Sequence, residues 1–252
     1  MWTDPLVAGA RRLWEDLAGV PVLFPPRGGV HVAVSPESGM CPAGWVGVVA
    51  LCGSAIVTVP SETVGAIVRD AVRGLPVDAA VDAEAVRTVL PVSGVLGPAA
   101  LSYVSSERFR PVRPGALPVD QLPAGDPELR HLERMAGPED AGEAGLDEIT
   151  SPAFVVRERG RVVAAAGYRT WPCRTAHVSV LTAPQARGRG LARVTGSATV
   201  AHALTAGLLP QWRARHPASR RVAAALGFAE LGAQLSIEMA QHPALDGEPP
   251  RA

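Results

Sequence analysis

The sequence predicts a mixed α/β (α+β) protein in two parts. A smaller α/β domain covers residues 1–104, and a mixed, mainly antiparallel sheet flanked by helices covers residues 105–240. Residues 241–252 read as a disordered tail. Three observations carry this division. β-Branched runs alternate with segments of helical spacing along the whole chain. Pro111, Pro114, Pro118 and Pro123 break both patterns between Ser105 and Asp126, which marks a boundary. Beyond it, Arg159-Gly160 joins two runs of strand character, the mark of an antiparallel hairpin.

The elements follow in order. Thr3 reads as a helix N-cap with Asp4 and Pro5 in the first turn. Leu6, Ala10, Leu13 and Leu17 recur at helical spacing, and Gly19 closes the helix. Gly29–Ser35 alternates as a strand. Trp45–Pro60 is a β-branched run with Gly53-Ser54 as a turn, hence a hairpin. Ser61 caps a helix reaching Gly74, and Asp82–Leu90 is a shorter one. Val95–Val104 is apolar without a clear period. Asp126 caps a short helix to Met135, and the acidic, glycine-rich stretch 137–148 reads as a loop with one helical turn. Strands are expected over 153–158, 162–170 and 175–182, then a helix to Thr205, a strand over 208–214, a helix from Ser219 to Leu226 and a strand over 231–239.

Composition narrows the function. The chain has 252 residues, with 24 basic and 24 acidic side chains and no net charge, so nothing pulls it globally toward nucleic acid. No apolar run reaches the roughly 18–20 residues of a membrane span. There is no lysine, which excludes a Walker phosphate loop and Schiff-base catalysis. Cys41, Cys52 and Cys173 have no metal-binding spacing and are odd in number, so neither a disulfide framework nor a metal site is expected. With no signal-peptide pattern at the N-terminus, these features point to the cytoplasm.

The most informative stretch is Val178 to Ala192. It reads as a strand, a tight Arg/Gly turn and a helix start. Gly188 and Gly190 let backbone approach a ligand, and the helix start aims N–H groups and a positive dipole end at one spot. Arg187 and Arg189 add guanidinium donors suited to phosphate. The stretch is therefore a phosphate cradle. A dinucleotide fingerprint does not fit, because Arg193 stands where a third glycine is wanted.

Gln185-Ala186-Arg187-Gly188-Arg189-Gly190 matches the Gln/Arg-x-x-Gly-x-Gly/Ala signature of the GNAT N-acetyltransferase superfamily position for position. Thr182-Ala183-Pro184 resembles that family's lead-in. His216-Pro217-Ala218-Ser219 running to Ala225-Leu226-Gly227-Phe228 resembles its second signature. Residues 105–240 are thus similar to a GNAT domain, and residues 1–104 are not matched.

The resemblance implies transfer of an acetyl group from acetyl-CoA to an amine of a small molecule or peptide, by direct attack in a ternary complex. It implies that the amides of Arg187, Gly188, Arg189, Gly190, Leu191 and Ala192 hold the CoA pyrophosphate. Val180 and Thr182 pair with the acyl-pantetheine arm, and an N–H near Val180 polarises the thioester carbonyl. Ser219 joins the cofactor-binding set, and no metal is implied. The family's base on the fourth strand falls at His177, whose ordinary pKa of ~6.5 suits that role. The family's tyrosine acid falls at Ala223, so that role is vacant here; Ser219 and Tyr168 are the substitutes offered. Acidic residues over 139–148 could draw a cationic amine. Arg213 and Arg215 could meet the 3′-phosphate of CoA. The alternative is a non-catalytic acyl-CoA sensor. The N-terminal half is open to three readings: a degenerate copy of the same fold, a lid, or a homodimerisation unit.

Overall fold

The computed structural model describes residues 4–112 and 118–240. Thr3, Pro114 and the expected tail at 241–252 lie outside the described residues. The described chain divides into two compact units, one made of residues up to Leu101 together with those from Leu231 on, the other of Ser102–Glu230.

In the first unit the opening helix α1 spans Pro5–Leu17, and Asp4 is its N-cap, its Oδ1 accepting from the Leu6 N–H at 2.9 Å. Strands β1 (Val30–Val34), β2 (Val46–Leu51) and β3 (Ser54–Val59) follow. β2 and β3 form the expected hairpin, but its turn is Cys52-Gly53, one residue earlier than the sequence suggests. Both turn residues have positive φ (52° and 80°), which matches the turn to the strand twist. Ser61 caps α2 (Glu62–Val72), and Asp82 caps α3 (Ala83–Val89). The apolar run after it becomes strand β4 (Val92–Tyr103). The last strand, β10 (Ala229–Met239), was expected to close the C-terminal part; it pairs antiparallel with β2 instead. The strand order here is β1-β3-β2-β10-β4. Val48, Val57, Val68, Leu235 and Ile237 centre this unit's core.

The second unit opens with the short strand β5 (Asp120–Leu122) and helix α4 (Pro127–Ala136), capped by Asp126. Where a loop with one helical turn was expected, Pro138–Ala144 forms helix α5, followed by a single 3-10 turn at Leu146–Glu148. Pro138 at its first position and acids in its first turn suit a helix start. Strands β6 (Ala153–Glu158), β7 (Arg161–Trp171) and β8 (Thr175–Thr182) form an antiparallel meander. Helix α6 (Leu191–Thr205) leads to β9 (Leu209–Ala214), which runs parallel to β8. Helix α7 spans Pro217–Ala225. The order is β9-β8-β7-β6-β5, so β8 is central and mainly antiparallel pairing surrounds it.

Both sheet faces of this unit are covered. Leu129 and Leu132 of α4 pack with Val155, Ala165 and Leu181. Trp212 packs with Val178, Val200, Leu226 and Phe228. Among the described residues no helix is long and apolar enough to cross a membrane.

Candidate functional site

The site begins where two parallel strands part. β8 and β9 pair at Thr175↔Leu209, Ala176↔Pro210 and His177↔Gln211, and the register ends there. Beyond His177, β8 continues to Thr182 against β7 alone. The two strands thus form a fork with His177 and Gln211 at its vertex.

The phase of the β8 backbone follows from one bond. Ala183 N–H donates to Val163 O at 2.9 Å. Backbone groups alternate between strand edges, so Ser179 and Leu181 turn theirs toward β7, while Val180 and Thr182 turn theirs into the fork. Side chains alternate independently, from face to face of the sheet. His177 shares its face with Trp171 and Arg169 of β7 and with Gln211 of β9, while Val178 faces the α6 side.

The Arg/Gly turn lies at the open end of the fork. Gly188 and Gly190 have φ of 75° and 77°, and Gly190 is the N-cap of α6. The Arg193 and Val194 amides close onto the Gly190 carbonyl at 3.1 and 3.2 Å. The amides from Gly188 to Ala192 take no part in those turn and cap bonds and sit at the positive end of α6. A Cβ built on Gly188 or Gly190 would meet nothing within 4 Å, so the space over the turn is open.

A cavity of about 660 Å³ runs from this turn to the fork vertex. Val180, Thr182, Gly188, Gly190, Leu191, Ala192 and Ser219 line it, as do His177 and Arg213. The open cradle, the fork edge of β8 and the buried Thr182 Oγ1, which has no hydrogen-bond partner, fit a phosphate-bearing ligand with an amide-containing arm.

The arginine side chains of the turn are placed differently from the sequence expectation. Arg187 Nη2 donates to Asp140 Oδ2 at 2.7 Å, and Arg189 is paired with Glu158 at 2.5 Å. The backbone, rather than the guanidinium groups, offers itself over the cradle. Three of the five acids expected to draw a cationic amine are likewise engaged: Asp140 with Arg187, Glu143 with Arg215, and Glu148 with Arg169 at 2.7 Å. Asp140 and Glu143 stand one turn apart on α5, so this helix is tied to the Arg/Gly turn and to the segment after β9.

His177 sits at the vertex in a fixed orientation. Its ring stacks on Trp171, with centroids 4.2 Å apart and planes 11° apart. Its Nδ1 lies 2.8 Å from Gln211 Oε1, and the fully buried Gln211 donates through Nε2 to Tyr103 Oη at 3.0 Å. That chain places the proton on Nδ1 and the lone pair on Nε2. Burial, with Arg213 and Arg169 close by, outweighs the Gln211 bond and lowers the pKa from 6.5 to about 3. The expected near-neutral imidazole is therefore corrected: His177 is uncharged across the physiological range.

The substitutes for the missing acid also find their places. Tyr168 is buried away from the cavity among Ala176, Ala203 and Leu208, its Oη 3.1 Å from His202 Nδ1. It does not reach the site. Ser219 lines the cavity inside the first turn of α7, and its Oγ accepts from Trp212 Nε1 at 2.9 Å. Helix α7 starts at Pro217, ahead of Ser219, with His216 as a cap that makes no side-chain bond. Ala223 is buried in the core behind the cavity.

Sequence reasoning passed over Gln211, Trp171 and Arg213 as partners of His177. The signal for them is register: they lie opposite or two residues along from its own position, on strands whose pairing the sequence does not state.

A family model described as GNAT acetyltransferase matches residues 151–233. The C-terminal half has a GNAT fold. The chain resembles a GNAT-family protein from Novosphingobium aromaticivorans DSM 12444, with 25% identity over 58% of this chain and 65% of that one and a TM-score of 0.46. It also resembles a GNAT-family acetyltransferase from Colwellia psychrerythraea, with 18% identity over 60% and 59% of the two chains and a TM-score of 0.45. A GCN5-related N-acetyltransferase from Kribbella flavida shares 18% identity over 65% of each chain, with a TM-score of 0.45. The matched part spans less than two thirds of each of these GNAT chains. No curated protein matches. The family match takes in β6 to β9, the turn, α6, α7 and the start of β10, and so contains the fork and its cradle.

Proposed function

We propose that the C-terminal half is an acyl-CoA-dependent N-acetyltransferase acting on an amine of a small molecule or peptide, by direct attack in a ternary complex. One observation carries the reading: the fork edge of β8 at Val180 and Thr182 leads straight into the amides of Gly188 to Ala192. An extended amide-bearing arm adds to such an edge as a strand does, and a pyrophosphate suits the helix start. Leu191 and Ala192 supply amides of the first turn of α6, and Ser219 lines the same cavity. Acetyl-CoA, when bound, supplies the acyl group as a thioester: the amine nitrogen bonds to the acyl carbon, the C–S bond breaks, and one proton passes from nitrogen to thiolate or water.

The chain's own part is positioning. The Val180 N–H faces the fork, where it can donate to a carbonyl oxygen as negative charge builds there. His177 offers Nε2 as a hydrogen-bond acceptor to the incoming amine or to a water beside it. With a pKa of about 3 it holds no proton at neutral pH, so any proton it takes passes on at once.

Calorimetry with CoA, paired with thiol release from acetyl-CoA over an amine panel, tests this reading. Gly190→Glu puts a side chain and a negative charge in the open cradle, so CoA binding should vanish while the far-ultraviolet circular dichroism stays unchanged. Unaltered CoA affinity in that variant would sink the assignment. A second reading, an acyl-CoA sensor without turnover, is favoured by Ala223 and by the weak basicity of His177. Tight CoA binding with no thiol release on any amine is its signature.

A further inference from the structure

We propose that helix α5 is a strap across the mouth of the fork, held shut by the Asp140–Arg187 and Glu143–Arg215 ion pairs, and that a phosphate in the cradle releases it by taking Arg187 from Asp140. This rests on the reading of the cradle as the donor's phosphate site and adds a device that controls access to that site.

The position of α5 follows from its partners. Arg187 stands just beyond β8 and Arg215 just beyond β9, the two strands that part at His177. Asp140 and Glu143, one turn apart, reach one each. The helix therefore bridges the two prongs, and Asp140, Glu143 and Ala144 form part of the cavity wall. It lies on the face that carries His177. Ser179 shares that face of β8, and its Oγ donates to the carbonyl of Gly145, the C-cap of α5, at 3.2 Å.

Little else holds the strap down. No side chain of α5 is buried, and seven residues are too few for a helix to persist alone in water. Gly137 and Gly145 flank it with φ of 91° and 57°, and a Cβ on Gly137 would meet nothing within 4 Å. Both ion pairs are partly exposed, so each holds weakly enough for a ligand to compete.

Arg187 is the point of competition. Its Nε donates to the Thr182 carbonyl at 3.3 Å, which keeps the guanidinium at the end of β8, while Nη2 donates to Asp140 at 2.7 Å. A pyrophosphate over the amides of Gly188 to Ala192 brings two negative charges and attracts that guanidinium. It also repels the Asp140 carboxylate, which lines the same cavity. Both effects break the same bond. With Asp140 displaced, one ion pair remains, and the face on which an acceptor must reach His177 opens.

The experiment is hydrogen–deuterium exchange of the full chain, read by mass spectrometry over residues 137–148, without and with saturating CoA. Without CoA, Asp140→Asn, Glu143→Gln and Arg215→Gln should each speed exchange about 3-fold, and Asp140→Asn combined with Glu143→Gln about 10-fold, as expected of partly exposed ion pairs. Glu143→Gln and Arg215→Gln change the net charge in opposite directions, so a shared loosening marks the pair and not the field. The exchanged pair, Glu143→Arg with Arg215→Glu, should return to the parental rate. CoA should speed exchange in the parent's α5 about 3-fold and add nothing in Asp140→Asn, because both act on one bond. The strap is overturned if the single variants exchange as the parent does, if CoA slows α5 or leaves it unchanged, or if CoA speeds Asp140→Asn as much as the parent. Calorimetry run alongside separates the underlying reading. Absent CoA binding sinks the phosphate site and the release step with it, while the variants without CoA still decide whether the ion pairs hold α5.

Discussion

The neutral His177 makes acid stability a direct test of the site's architecture. The group has a pKa of about 3 when folded against 6.5 when free. The unfolded chain therefore binds the extra proton first as pH falls, so stability is full above 6.5 and is lost between 6.5 and about 3. At pH 5 the folded imidazole is still neutral, and the loss is set by the unfolded value alone: about 2 kcal/mol relative to pH 7.5. His177→Gln removes the titration and keeps a polar group beside Gln211. Urea unfolding of both proteins from pH 7.5 to 5, followed by tryptophan fluorescence, should show the parent losing about 2 kcal/mol more than the variant. The His177 ring signals in NMR should stay constant over the same range. Equal pH dependence in the two proteins, or a ring titrating near 6.5, would refute the enclosed vertex. A corollary concerns rate: the acid limb of kcat/KM should follow the acceptor's own ammonium and not an enzyme imidazole.

Further outcomes follow from the same geometry. Gln211→Leu leaves the Tyr103 hydroxyl and His177 Nδ1 without their shared partner, which should cost about 1–3 kcal/mol in urea unfolding. It should also let the His177 ring signals broaden or shift. Asp140→Ala releases the Nη2 end of Arg187 beside the cradle while its Nε keeps the Thr182 carbonyl at 3.3 Å; because the Asp140 pair is largely exposed, stability should change by about 0–1 kcal/mol. CoA affinity should rise in the same variant, and an unchanged or weaker affinity in calorimetry would show that Arg187 stays out of the phosphate site.

Local chemistry was legible in the sequence, and partnership across elements was not. The meander from Ala153 to Thr182 announces itself because Arg159-Gly160 takes positive φ at both turn residues and the flanking runs are short, continuous and apolar. The Gly188 and Gly190 turn was readable for a similar reason: few residues other than glycine sit easily at φ near 75°. Helix α5 was not readable, since it is only seven residues long with Gly142 inside it and Gly137 and Gly145 at its ends; its ion pairs to Arg187 and Arg215 come from other elements. Val92–Tyr103 showed no period because its second half, from Ala99 on, is buried on both faces. The state of His177 escaped for the deepest reason. Its pKa depends on Gln211, Arg213 and Arg169, which only the strand pairing brings beside it.

The placement of β10 bears on how the chain is born. The second unit is one unbroken stretch, Ser102–Glu230, enclosed in sequence by the two parts of the first. Strand β10 sits between β2 and β4, so until residues 229–239 leave the ribosome β2 lacks its neighbour and exposes a fully apolar edge. The N-terminal part, although made first, is thus the last to be completed, and the acetyltransferase-like segment can fold while it waits. A release of the nascent chain just short of β10 would leave the Val46–Leu51 edge open to pairing with other chains, a hazard at the opposite end of the sequence from the missing residues.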